Sequence, residues 1–149
     1  MPANTSPIFT LTPNVGTVAV TAALTKSDGT GTIATDIFKA LTSGASGSWI
    51  SRVRWLPVAT SAGTTTTATV GRVYISTQTS GATTGGTDTF LLGEMALNAV
   101  SADNTTQPIN PIELMLNIAI PTGRTILVST HHAPAANTSW QAIVIGGDY

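Results

Sequence analysis

The stretch Trp49-Ile50-Ser51-Arg52-Val53-Arg54-Trp55-Leu56 decides how this chain is read. Its side chains alternate: Trp49, Val53 and Trp55 fall on one side, Ile50, Arg52, Arg54 and Leu56 on the other. Period two belongs to a β-strand, whose successive side chains leave opposite faces. The pattern predicts a strand over 48–58 that carries Trp49 and Trp55 into a core.

The same alternation recurs on both sides of it. Segments rich in Thr, Val and Ile, residues whose branched Cβ suits a pleated surface, predict further strands at 16–25, 31–42, 68–77, 89–97, 111–119, 124–131 and 139–146. In the last of these Trp140, Ala142 and Val144 oppose Gln141, Ile143 and Ile145, which places Trp140 in the core as well. Asp28-Gly29 reads as a hairpin turn between the first two strands, because both central positions of that turn need positive φ. The one helical rival, Thr35 to Leu41, is flanked by Thr and Ile and is read as strand.

Eight short strands with turn signals between them predict an all-β fold, an antiparallel sandwich or barrel. The count favours an antiparallel β-sandwich of the eight-stranded jelly-roll kind over a seven-stranded immunoglobulin-like domain. One such domain is expected over 15–149. Residues 1–14, with Pro2, Pro7 and Pro13 around Ile8-Phe9-Thr10-Leu11, read as an extended N-terminal arm. Thr60–Thr67, Thr77–Thr87 and Ser101–Pro111 read as long surface loops, too polar to enter a core.

Composition narrows the function. Charged residues make up 9% of the 149, against about 25% in an ordinary soluble domain. Six basic and seven acidic side chains leave a net charge of −1, which excludes the basic field of a nucleic-acid binder. Cysteine is absent, so no disulfide framework or thiolate metal site is possible. No apolar run approaches the roughly 18 residues of a membrane helix, and Met1 to Ser6 lack the layout of a signal peptide. The expectation is a soluble protein made in a cytoplasm, with neither nucleic acid nor membrane as partner.

No catalytic constellation is evident, and no enzyme is expected. His131-His132 is the one pair a metal would want, yet neighbours on a strand point to opposite faces. Buried at a subunit contact, either histidine would make assembly pH-sensitive. Gly44-Ala45-Ser46-Gly47-Ser48 does not spell a nucleophile elbow. The acids at 28, 36, 88, 94, 103, 113 and 148 are scattered, whereas glycosidase chemistry needs two that converge. Catalytic residues, cofactors and metal ligands are all read as none. Assembly is the positive expectation. A sandwich has open strand edges to guard, and this chain has only Lys26 and Lys39 for the purpose. Arg52 and Arg54 read as a solvent-facing or subunit-facing pair, since arginine is well suited to interfaces.

From Phe38 onward the chain resembles a broad family of small virion structural proteins of tailed bacteriophages. The stretches that carry the resemblance are Phe38 to Ile50 (FKALTSGASGSWI), Arg52-Val53-Arg54, Gly71-Arg72-Val73-Tyr74-Ile75, Phe90-Leu91-Leu92-Gly93-Glu94, Ile118 to Gly123, Ser129-Thr130-His131-His132 and Ile145-Gly146-Gly147-Asp148-Tyr149. The resemblance implies a capsid decoration, or cement, protein: a β-sandwich on the outside of the head shell, commonly a trimer or dimer. Its partners would be the major capsid protein and copies of itself, and its place the outer surface of the virion head. Contacts are expected first in the arm, where Ile8, Phe9 and Leu11 would reach a neighbour by strand addition. Arg52, Arg54, His131 and Tyr149 are further interface candidates. The rival reading is a tail or fibre module that binds host carbohydrate, and a hydrolase of an unfamiliar kind comes third.

Overall fold

A computed structural model describes residues 10–61, 63–101 and 109–149; of the arm residues named above, Ile8 and Phe9 lie outside these. Among the described residues there are ten strands and no helix. They are β1 (Thr12–Val20), β2 (Gly31–Thr32), β3 (Phe38–Thr42), β4 (Ser48–Ala59), β5 (Thr69–Ser76), β6 (Ala82–Thr83), β7 (Thr89–Leu97), β8 (Ile112–Ile120), β9 (Thr125–Thr130) and β10 (Thr138–Asp148). All ladders are antiparallel. One sheet has the order β1-β10-β4-β8, a second β3-β9-β5-β7, and β2 and β6 form a small ribbon.

The core lies between the two four-stranded sheets. Val20, Ile50, Val53, Trp55, Trp140 and Val144 come from the first; Leu41, Val73, Leu97, Ile126 and Val128 come from the second. Alternation explains most of this. Trp140, Ala142 and Val144 are fully buried on one face of β10, as expected. Trp49 is a correction: it is 37% exposed, and Ile50 is buried in its place. Ser51 is an extra residue against β10, where Ile145 pairs Arg52 and Gly146 already pairs Ile50. A bulge of this kind switches face assignments along a strand, so Ile50 and Val53 both point inward while Trp49 and Arg52 point out.

Other departures follow from local turn chemistry. β1 begins at Thr12, inside the stretch expected as an arm, and Thr12 to Asn14 pair with Asp148 to Gly146. The strand expected over 31–42 is broken. The Asp36 carboxylate accepts the Thr32 amide and Ala34 takes a φ of 71°, so a turn interrupts the branched residues. Gly29 has the positive φ its turn needs (87°), but β1 pairs β10 and no hairpin joins β1 to β2.

The two outer faces differ. Residues 21–37 lie as a strap over the second sheet, where Leu24, Ile33 and Ile37 pack on Tyr74 and Leu127. Strand β9 is therefore buried on both faces along its whole length. The loop 77–87, expected to stay clear of any core, helps to fix the strap. Buried Thr83 donates through Oγ1 to the Gly29 carbonyl (2.7 Å) and accepts the Gly31 amide (3.0 Å). Asp88 holds the loop by accepting the Thr84 amide (2.8 Å) and the Thr89 hydroxyl (2.7 Å).

Three of the four edge strands carry bulges, and β3 also carries exposed Lys39. Ala40 is an extra residue in β3 and Leu92 in β7, while β8 carries two residues, Leu116 and Asn117, against Ser51 of β4. Bulges twist an edge away from further pairing. Edge exposure alone thus no longer demands a covering partner, and the weight passes to the uncovered sheet face.

Candidate functional site: the uncovered sheet face

No element among the described residues covers the outer face of β1-β10-β4-β8. Pairing places its side chains in rungs. Val15, Ile145, Arg52 and Met115 form one rung; Thr17, Ile143, Arg54 and Glu113 form the next; Ala19, Gln141 and Leu56 follow. Trp49 and Ala119 stand beyond the bulge. The face is apolar where it is most open, with Val15 57% and Met115 53% exposed. A depression of ≈ 340 Å³ between β1 and β10 is lined by Thr17, Val18, Ala19, Gln141 and Ile143.

Three charges sit on this face. Arg54 donates to Glu113 Oε1 from Nε (2.8 Å) and approaches the same oxygen with Nη2 (2.7 Å). Arg52 Nε is 3.7 Å from that oxygen, an ion pair without a hydrogen bond, and is buried with no acceptor. The two candidate arginines thus lie side by side on one surface, held by one carboxylate. The reading of Arg52 and Arg54 as outward-facing agrees with this geometry.

The other candidates are dispersed. Leu11 is 83% exposed just before β1, and its amide donates to the Asp148 carbonyl (2.8 Å). Tyr149 follows Asp148 at the same end of the fold, its amide bonded to the Gly47 carbonyl (3.2 Å). Asp148 is the polar centre there. Its carboxylate accepts from the Ser48 hydroxyl and from Asn14 Nδ2 (2.8 Å), and these donors, Ser48 foremost, hold its carboxyl below the usual carboxylate range.

His131 lies at the opposite end, beyond β9. Arg72, almost fully buried, donates from Nη1 to the Leu24 carbonyl (3.1 Å) and from Nη2 to His131 Nδ1 (3.4 Å). That arginine pins the strap to the sheet beneath it. Tyr74 shares this covered face, and burial pushes its phenol up. The His131 and His132 rings meet edge-on with centroids 4.5 Å apart, although divergent directions were expected. Both residues lie past the end of β9, where strand alternation no longer applies. Among the described residues no three of His, Asp and Glu come together as a metal would require.

A second cleft of ≈ 490 Å³ lies between the first part of the strap and the β2-β6 ribbon, lined by Thr25, Lys26, Thr32, Asp36 and Thr84 among others. It offers hydroxyls and one carboxylate, with no aromatic ring to stack a sugar. Sequence reasoning missed the covered face because strap contacts join residues far apart in the chain. Composition gave no signal of which sheet the strap would cover.

No family model matches the chain, and no curated protein matches it. Among solved structures it is similar to a chain of the cyanophage Pam1 capsid asymmetric unit, at 14% identity and a TM-score of 0.43, over 100% of both chains.

Proposed function

We propose that this protein is a bacteriophage head decoration, or cement, protein: a jelly-roll domain that binds the outer surface of the capsid shell and stabilises it by bridging major capsid protein subunits. The observation that carries the reading is the bare face of β1-β10-β4-β8, mostly apolar around three charges, set against an opposite sheet whose β5 and β9 are covered by the chain's own strap. A broad sheet face with apolar rungs and three charges suits a fixed docking surface better than a site for turnover. The strand orders support the jelly roll. Counting only the eight long strands in chain order, they read 1-8-3-6 and 2-7-4-5, the arrangement of two interlocked Greek keys.

The role is mechanical and non-enzymatic. A shell lattice presents the same surface many times, so modest individual contacts add up once copies of this protein bridge adjacent subunits. Self-association as a trimer or dimer multiplies the effect. The test is to mix the purified protein with heads that lack it and to image them by electron microscopy. New density on the outside of the shell, with heads that retain DNA to higher temperature, is the expected result. Bare heads at saturating protein would overturn the reading.

Trp49 favours a second reading, a carbohydrate-binding tail or fibre module, because its ring reaches the surface. Trp55 and Trp140 are fully buried, and the other strongly exposed ring, Phe90 (49%), stands on β7 of the second sheet. A glycan array separates the two: saturable binding to one glycan class, with no binding to heads, would favour the second.

A further inference from the structure

The geometry points to a protein surface bearing an acidic side chain as the partner of the bare face, with Arg52 as the residue that receives the acid. This rests on the reading of that face as the shell-binding surface and names the chemistry it meets there. Two arginines share one glutamate, and the sharing is unequal. Arg54 takes Glu113 Oε1 at 2.7 and 2.8 Å, while Arg52 Nε stops at 3.7 Å and is buried without an acceptor. That Nε is turned inward, so an acid from outside would meet the terminal nitrogens of the Arg52 side chain, which is 35% exposed. A guanidinium presents its donors as a fork matched to a carboxylate, and Arg52 has that capacity unused on an otherwise uncharged rung.

Its neighbours define the rest of the partner. Val15 and Ile145 lie on one side of Arg52 and Met115 on the other. An acid ringed by apolar groups would satisfy the cation and cover the rung together. A second copy of this chain fits poorly. Two-fold pairing with its axis at the arginine pair would set Arg52 and Arg54 against their own counterparts, and like charges in a desolvated contact repel. The net excess of one positive charge on the face, two arginines against one glutamate, complements an acidic surface and not itself.

The experiment measures occupancy on purified heads for the wild type, Arg52→Glu, Arg52→Lys and Met115→Glu, with thermal unfolding of each variant alongside. Arg52→Glu leaves the Arg54–Glu113 pair in place, and Met115→Glu supplies Arg52 with an acid from its own exposed rung. Both are expected to lose shell affinity by about tenfold or more with unchanged unfolding midpoints, while Arg52→Lys keeps part of it. Equal occupancy for the wild type and both acidic variants would overturn the inference and leave the decoration reading standing. Failure of the wild type to bind heads at all overturns both. Sedimentation showing that Arg52→Glu changes the oligomeric state would assign the face to a second copy, and that also overturns the inference.

Discussion

Gly16 of β1 lies against the Ala40 carbonyl of β3, so close that a Cβ on Gly16 would overlap that oxygen. The two residues belong to different sheets, and their contact closes one side of the sandwich. Asn14 reinforces it by donating to the Thr42 carbonyl (3.1 Å). Since the obstacle is backbone, it cannot swing aside as a long side chain would. Gly16→Ala is expected to destabilise the fold by about 1–3 kcal/mol, the range of overpacking in a closed core. Chemical denaturation reads this directly; an unchanged midpoint would mean that the two edges part without penalty.

Leu127 points away from the main core yet is fully buried, under Leu24 and Ile37 of the strap. Its neighbour Ile126 faces the other way and is equally buried. In a sandwich strand with one wet face, only one of two adjacent residues would matter. Here both Leu127→Ala and Ile126→Ala are expected to cost about 2–5 kcal/mol. A loss below about 1 kcal/mol for Leu127→Ala would show that the strap contributes no packing.

These two sites mark how far the sequence could be read. Alternation found the long strands and the buried face of β10, because period two is written in the side chains themselves. It misassigned Trp49, because a bulge at Ser51 is a pairing event between strands and leaves no mark in one strand alone. It joined 31–42 into one strand, since the Thr32–Asp36 turn competes with β propensity only once the loop closes. The bare face was half legible: Arg52 and Arg54 were seen to share a side, but the sharing of Glu113 joins positions 59 and 61 residues apart. That the opposite face is covered depends on the strap, whose polar Thr, Asp and Lys residues gave no sign that Leu24 and Ile37 anchor it.

Asp148 ties β10 to β1 and β4 through Asn14 and Ser48, and those donors lower its carboxyl. A lowered folded-state value means that the carboxylate is favoured by folding. The contribution is fully present above the unfolded carboxyl range near about pH 4 and is lost as pH falls through the lowered value. Asp28 and Asp88 are lowered as well, Asp28 by the Thr30 amide and Asp88 by the Thr84 amide, so they act with the same sign. Urea midpoints are therefore expected to fall below about pH 4. Asp148→Asn should lower the midpoint at pH 7 and differ less from the wild type at pH 3. A gap that stays constant with pH would remove Asp148 from the acid response.

Strand β1 starts at Thr12, and this changes how the arm must be tested. Removing residues 1–13 would delete Thr12 and Pro13, which pair with Asp148 and Gly147, along with Leu11, whose amide bonds the Asp148 carbonyl. Such a truncation confounds an effect on binding with a loss of sheet. Removing residues 1–9 leaves every described rung of β1 intact. The shorter deletion, which takes away Ile8 and Phe9, is expected to preserve the unfolding midpoint within about 0.5 kcal/mol. If these two residues reach a neighbouring subunit by strand addition, the same deletion lowers occupancy on heads severalfold, because main-chain bonds supply much of such a contact. Full occupancy with the shorter deletion would assign shell binding to the sheet face alone. The longer deletion should then lose stability whatever it does to binding, and comparison of the two separates the arm from the strand it leads into.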